Sequence, residues 1–474
     1  MENENSRRSV VVIGGGPGGY VAAIRAAQLG AAVTLVEKEQ VGGTCLNRGC
    51  IPTKALLHPA EIVRSIHSGG ECGVHAALDS VCWPEVVAYK DGIVRKLTGG
   101  VAGLLRSSGV TVISGTACFV KPKAIEITAA DGSRQILEAD RFLIATGSVP
   151  VMPPIDGLRE SRYVVDSTGA LSMETLPGSM MIIGGGVIGV EMAAALNGLG
   201  CRVTIVEALP GLVPTMDGEL AGLLAKNLEQ QGIEVLLEHK VVQVADDSAA
   251  AQVTVEHHGE RKVLQAERVL CAVGRRPFID GLNAEGVGIR CEKGRILTDE
   301  YLETSIPGVY AIGDCLGQVM LAHTASAQGE IAAANALGER IAYRPACVPS
   351  GIYGFPELAG VGMTEEQLRA SGIPFHTGRF PLAANGRALI ANGGSGMVKV
   401  LIGDELNEVL GVHILGPGAT EIIGEAAAAI SLEATAEDII AAIHAHPTVT
   451  ESLREAVLAA EQRPIHIPGK FKKG

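Results

Sequence analysis

The chain has 474 residues, 47% of them hydrophobic and 19% charged: enough for about three or four compact units, and too apolar for a disordered molecule. With 39 Lys plus Arg against 52 Asp plus Glu, the net charge of -13 repels phosphate backbones and argues against a nucleic-acid partner. Aromatics are only 3%, so the cores must rest on Ala, Val, Ile and Leu, while 61 glycines, nearly double the usual share of about 7%, point to backbone that must be approached closely.

The polar stretch Met1 to Ser9 has neither the apolar centre nor the small-residue cleavage site of a secretory signal. No charge-free apolar window of about 18 residues is present to span a bilayer, so a cytoplasmic protein with no membrane partner is expected. Residues 10 to 37 then read as strand, glycine turn, helix and strand: a β-branched run, Gly14 to Gly19, an Ala-rich periodic segment to Gly30, and Val33 to Glu37. The glycines fit G-x-G-x-x-G at Gly14, Gly16 and Gly19, where missing side chains let backbone approach a pyrophosphate at a helix N-terminus. Glu37 closes the second strand, where a carboxylate bonds ribose hydroxyls.

The same grammar returns at 180 to 207, with Gly184, Gly186 and Gly189 in the turn and Glu207 at the strand end. The interval from Gly14 to Glu37 equals that from Gly184 to Glu207, 23 residues. Two copies of one nucleotide fold imply two nucleotide ligands. A carboxylate at 207 repels a 2'-phosphate, which favours NAD over NADP.

Between the copies, 110 to 145 reads as short strands broken at Lys121-Pro122-Lys123 and Asp131-Gly132, an antiparallel meander inserted in the first domain. A similar strand-rich stretch ends in Val269 to Val273, before Gly274-Arg275-Arg276-Pro277. From about 350 the pattern changes to strands such as Met397 to Val400 and Val409 to Ile414, then helices from 418 to 461. The expected fold is α/β: two Rossmann-like dinucleotide-binding domains followed by a C-terminal α+β domain. The expected division is 1–150, 151–276, a central segment 277–347, and 348–474.

Ten cysteines are too sparse for a disulfide scaffold. Cys45 and Cys50 are the close pair, within Gly42-Gly43-Thr44-Cys45-Leu46-Asn47-Arg48-Gly49-Cys50-Ile51-Pro52-Thr53-Lys54. In a regular helix five residues rise about 7.5 Å, beyond the ~7 Å limit for a disulfide, so bonding them requires a distorted turn, which Gly49 permits. Half of a zinc site and two unrelated cysteines are the alternatives, although no second Cys/His pair of metal spacing accompanies them.

Segment 42–54 resembles the redox-disulfide motif of the class I flavoprotein disulfide reductases and, within them, the dihydrolipoyl dehydrogenases. Thr146-Gly147, Gly184 to Glu191, Gly274 to Pro277, Gly313-Asp314 and His444-Ala445-His446-Pro447-Thr448 fall in the order that family places its motifs, so the resemblance covers essentially the whole chain. It implies that the first glycine loop and Glu37 hold FAD, that Asp314 bonds its ribityl chain, that the second loop and Glu207 serve NAD, and that Thr146, Gly147 and Gly274 are cofactor-binding positions. Asp314 also reads as a helix N-cap after the strand Val309 to Ile312.

Further implications are a Cys45–Cys50 redox disulfide, Lys54 near the flavin paired with Glu191, and His446 as base with Glu451 as its orienting acid. The residues alone also let Thr448-Val449-Thr450-Glu451 be a capping box opening a helix through Leu458. His444 and His446 could hold a metal on a strand, but Pro447 breaks such a strand, and no metal is expected. The implied substrate is a lipoyl-carrying protein, of the E2 or glycine-cleavage H type. The implied assembly is a homodimer in which the base reaches the other subunit's disulfide.

Two departures stand out: Gly354 where the family commonly has Thr, and Thr450 where it has Ser. Glutathione-type reductases share the fold but prefer NADP, against Glu207. Mercuric and large thioredoxin reductases need a C-terminal thiol pair, and no cysteine follows Cys347. A flavin-binding scaffold without catalysis would not need the thiols and the base.

Overall fold

The computed structural model describes residues 7–469; the polar lead at 1–6 lies outside them. The β-branched run Ser9–Ile13 forms the centre of a parallel sheet in the order Val309–Ala311, Arg141–Ile144, Ser9–Ile13, Ala32–Glu37, Thr111–Ser114. Val10 to Ile13 are buried, as expected for parallel strands covered on both faces. One covering layer is the helix Pro17–Gln28 packed on Ala322–Ala336, whose buried alanines replace the missing aromatics.

The second sheet repeats the plan in the order Glu234–Leu236, Arg202–Val206, Ser179–Ile183, Arg268–Cys271, Val164–Val165. Ser9 pairs with Ala32 and Ser179 with Arg202, so the repeat seen in the sequence is also a repeat of register. Each sheet carries a three-stranded antiparallel meander: Thr116–Lys121, Ala124–Thr128 and Arg134–Glu138 in the first, Lys240–Asp246, Ala251–His257 and Glu260–Ala266 in the second. The first meander is shorter than the sequence suggests. Thr111–Ser114 leaves it to pair parallel with Ala32–Glu37, because this strand follows the helix Trp83–Ser107 as a crossover.

The last block is a five-stranded antiparallel sheet, with Met397–Gly403 and Val409–Gly416 at its centre. The helices Ala419–Ser431, Ala436–Ala441 and Glu451–Ala460 belong to the same block, the first and third packing on the sheet. Two α/β units and a C-terminal α+β unit are therefore present, as the sequence predicts.

Candidate active site

Gly49 interrupts the helical stretch between Gly43–Arg48 and Cys50–Ser68, with φ -144° and ψ -112°. Cys45 and Cys50 thus stand on either side of a break, the distorted turn that a disulfide between them would need. Both are thiols in this structure. They act on each other: the interaction with Cys45 lowers Cys50 to about 7, assisted by the Lys54 charge, while the interaction with Cys50 and then burial push Cys45 upward. Cys50 is the member of the pair prepared to be a thiolate.

Lys54 Nζ lies 2.8 and 2.7 Å from the two carboxylate oxygens of Glu191 and 4.4 Å from the centroid of the Tyr353 ring. The crossing of two helices brings the pair together. A Cβ on Gly198 would fall 2.8 Å from Ala60 Cβ, so only glycine allows Val187–Gly198 to cross Cys50–Ser68 this closely. Glu191 is 4% exposed, and burial raises its carboxyl above the usual range despite Lys54 and the Tyr353 N–H, which donates to it at 3.1 Å.

The two glycine loops are built alike. Gly14 and Gly184 have φ of 102° and 110°, and a Cβ on either would lie 2.3 Å from Ala145 O or 2.6 Å from Ala272 O. Gly19 and Gly189 press on the carbonyls of Gly14 and Gly184 in turn. By contrast, a Cβ on Gly16 would meet only Gly43 Cα, at 3.8 Å, and one on Gly186 nothing within 4 Å. Gly16 and Gly186 are the N-caps of their helices and no side chain caps either, so free N–H groups face open space. Glu37 accepts the Gly15 N–H at 2.6 Å and Glu207 the Gly185 N–H at 2.6 Å.

Both loops, both acids, Cys45, Cys50, Lys54 and Glu191 open on one cavity of about 2290 Å³. Thr146, Gly147, Gly274 and Asp314 line it as well. The Thr146 hydroxyl is buried without a partner, and two uncapped helix ends offer N–H donors to phosphates. This donor set fits a flavin dinucleotide at the first loop and a nicotinamide dinucleotide at the second. Asp314 does not cap a helix: the short turn Gly313–Leu316 begins after Ile312, and the Asp314 carboxylate instead accepts the Ser148 hydroxyl.

Sequence reasoning singled out neither Ser148 nor Tyr353, and left Arg275 inside a motif without a role. Arg275 Nε donates to Ser148 Oγ at 2.8 Å and Nη2 to Ser148 O at 2.7 Å; burial lowers its guanidinium. Its place next to Gly274 was the only signal.

His446 Nδ1 lies 3.0 Å from Glu451 Oε1. Burial alone would raise Glu451, but the Thr448 N–H and His446 outweigh it and hold the carboxyl low. The expected capping box is half present. Glu451 accepts the Thr448 N–H at 2.8 Å, whereas the Thr448 hydroxyl donates to Ala445 O at 2.7 Å, and the helix runs Glu451–Ala460 from Thr450 as its N-cap. His444 bonds Glu425 at 2.8 Å and is no ligand partner of His446. The His446 side chain is 82% exposed, and neither it nor Glu451 lines the cavity that holds the cysteines.

Residues 8–329 match the model of the family described as pyridine nucleotide-disulphide oxidoreductase, and 348–457 that of its dimerisation domain. The chain is 42% identical over 469 residues to the mitochondrial dihydrolipoyl dehydrogenase 1 of Arabidopsis thaliana, covering 98% of this chain and 92% of the relative. It is 43% identical over 462 residues to the dihydrolipoyl dehydrogenase of Thermus scotoductus, covering 97% and 98%. The structure of the HOCl-induced flavoprotein disulfide reductase RclA from Escherichia coli superposes with a TM-score of 0.85 at 30% identity, over 95% of this chain and 99% of that one.

Proposed function

The chain belongs to the pyridine nucleotide-disulphide oxidoreductases, and from that premise we propose that it oxidises protein-bound dihydrolipoyl groups to lipoyl groups through Cys45 and Cys50. It is a FAD-dependent oxidoreductase that uses NAD. The observation that carries the disulfide-redox reading is the placement of both cysteines, both uncapped glycine loops and the Lys54–Glu191 pair on one cavity, and identity of 42–43% over nearly the whole chain to relatives named dihydrolipoyl dehydrogenase supports the dihydrolipoyl group as substrate. When bound, FAD supplies an acceptor for two electrons from a dithiol, and NAD removes them as hydride.

The chain's own residues handle the protons and the sulfur chemistry. A substrate thiol near pKa 8.5 is mostly protonated at neutral pH, so a base must take its proton before it attacks. His446 Nε2 takes it, while Glu451 on Nδ1 fixes the tautomer and stabilises the imidazolium. The substrate thiolate attacks Cys45 Sγ, the Cys45–Cys50 bond breaks, and Cys50 leaves as a thiolate beside Lys54. The second substrate thiol then attacks the mixed disulfide, closing the lipoyl ring and returning Cys45 as a thiol. Two electrons have moved from the substrate dithiol to the cysteine pair.

Because His446 lies outside its own chain's redox cavity, the base comes from a second copy, held by the dimerisation domain at 348–457. The partner of the reaction is a lipoyl-carrying protein of the E2 or H type, and the compartment is the cytoplasm. The discriminating measurement is stopped-flow reduction of the oxidised holoenzyme by dihydrolipoamide with NAD as acceptor, against turnover of glutathione disulfide with NADPH. Preference for the second pair would overturn the substrate assignment.

A further inference from the structure

The second meander carries a group of side chains that the chemistry above does not use. Its central strand, Ala251–His257, turns through His258-Gly259 into Glu260–Ala266, and His257 pairs with Glu260 across the turn. His258 and Gly259 both have positive φ, 49° and 86°, as a two-residue type I′ turn requires. Asn or Gly would serve such a turn better than His. Glu238, just before the strand Lys240–Asp246, is also held in the left-handed region at φ 58°. Two of three neighbouring side chains therefore project from backbone that residues with a Cβ seldom adopt.

These conformations converge the side chains. Donor atoms of Glu238, His257 and His258 all lie within 4.8 Å of one another, the only such triad of metal-ligating type among the described residues. Donors about 2.0 to 2.1 Å from a tetrahedral ion stand roughly 3.3 Å apart, a distance reachable here by side-chain rotation. His257 stacks face to face on His239, with centroids 4.3 Å apart and planes 2° off parallel, and His258 packs on His257 at 4.1 Å. His239 Nδ1 donates to Leu237 O at 2.6 Å, which fixes that ring as the wall against which His257 is oriented.

The triad is wired to the second nucleotide loop. The Glu238 N–H donates to Leu209 O at 3.1 Å and the His239 N–H to Glu207 O at 3.0 Å, while the Leu209 N–H donates to the Glu207 carboxylate at 2.8 Å. His239 itself lines the cavity.

We propose that Glu238, His257 and His258 form a surface site for a divalent transition-metal ion that imidazole and carboxylate suit, such as Zn²⁺, and that its occupation tightens NAD binding at the Glu207 end of the cavity. Two neutral imidazoles and one carboxylate leave the bound ion with net positive charge, and crosslinking the turn to Glu238 stiffens the backbone hydrogen-bonded to Glu207 and Leu209. The coupling, though not the metal site, rests on reading Glu207 as a nucleotide-binding acid. By linkage, NAD must tighten Zn²⁺ to the same degree.

The test uses oxidised holoenzyme, in which Cys45 and Cys50 are bonded and do not compete for the ion. Zn²⁺ titrated calorimetrically should show one equivalent per subunit that is missing in the His257→Asn/His258→Asn variant, in which Asn at 258 suits the left-handed turn. The Kd for NAD, measured by the same method, should fall at least about twofold with Zn²⁺ in the wild type and not in the variant. Equal Zn²⁺ uptake by both proteins would overturn the site. Uptake without any change in the Kd for NAD would overturn the coupling. A misreading of Glu207 would show separately, as unchanged NAD affinity in Glu207→Ala with Zn²⁺ uptake intact.

Discussion

Cys50 differs from an ordinary thiol because its neighbours favour the charged form: the Cys45 thiol first, then Lys54, bring it to about 7. A group with a lowered pKa is a thiolate above that value, so the long-wavelength thiolate-to-flavin absorbance of the two-electron-reduced enzyme should rise with pH, with a midpoint near 7. Cys45→Ser should retain this band, since Lys54 remains, and Cys50→Ser should lack it. Reversed spectra would exchange the two roles. At the second loop, Glu207 both faces the nucleotide cavity and accepts the Gly185 and Leu209 N–H groups, so removing it has two effects. Glu207→Ala should raise the KM for NAD by loosening the loop. Adding Ala208→Arg should shift the NADPH to NADH ratio of kcat/KM upward, because a guanidinium bonds a 2'-phosphate bidentately. An unchanged ratio would reduce Glu207 to a brace for its own loop. The cysteine pair, the glycines and the strand-end acids could be picked out because local spacing marks them, whereas the Lys54–Glu191 pair, 137 residues apart, was implied only by the family resemblance. Ser148 and Tyr353 were not legible, since their partners Asp314 and Glu191 are 166 and 162 residues away and neither side chain breaks a local pattern.

Among the elements, the two βαβ units were readable because period, turn and strand-end acid repeat. The strand Thr111–Ser114 was misplaced because a short run of β-branched residues carries no mark of parallel or antiparallel pairing. The contact between the second nucleotide unit and the C-terminal sheet was invisible for a like reason. Lys399, alternating with apolar residues on a central strand, is 1% exposed and lies 2.9 Å from Asp217, 3.0 Å from Glu219 and 2.7 Å from Glu365, on elements far apart in sequence. Removing one member of a buried charge cluster costs more than the cluster contributes, because the remaining charges lose both water and partner. Lys399→Met should therefore destabilise the protein by about 3–5 kcal/mol, seen as a lower urea midpoint, and adding Asp217→Asn should recover part of the loss. The same cluster sets an acid limit. The hydrogen bond from Lys399 holds Glu365 at about 2, against an ordinary value of 4.5, so its contribution is complete above about pH 4.5 and fades as pH falls toward 2. In Glu365→Gln the stability should fall less steeply over that window, and an unaltered acid profile would remove Glu365 from the account.

At the scale of the whole molecule, a single chain separates its cysteine pair from the histidine proposed as base. Cys45 and Cys50 open on the interior cavity, whereas His446 points to solvent on the C-terminal unit, bonded to Glu451 and otherwise free to meet another surface. If that surface is the substrate mouth of a second copy, two-fold symmetry creates two composite sites, each with thiols from one subunit and a base from the other. His446→Gln should slow reduction by dihydrolipoamide by about 10²- to 10⁴-fold, the usual scale of general base catalysis, and leave NADH reduction of the flavin intact. Exchange of subunits between His446→Gln and Cys45→Ser dimers then distinguishes the two arrangements. In a heterodimer, the thiols of the His446→Gln chain meet the intact histidine of the Cys45→Ser chain, and the other site carries both defects. Two inactive parents should give heterodimers with up to about half of wild-type activity, because one of the two sites is whole. If base and thiols belonged to one chain, every site in the mixture would keep one defect and no activity would return, however complete the exchange measured by native mass spectrometry.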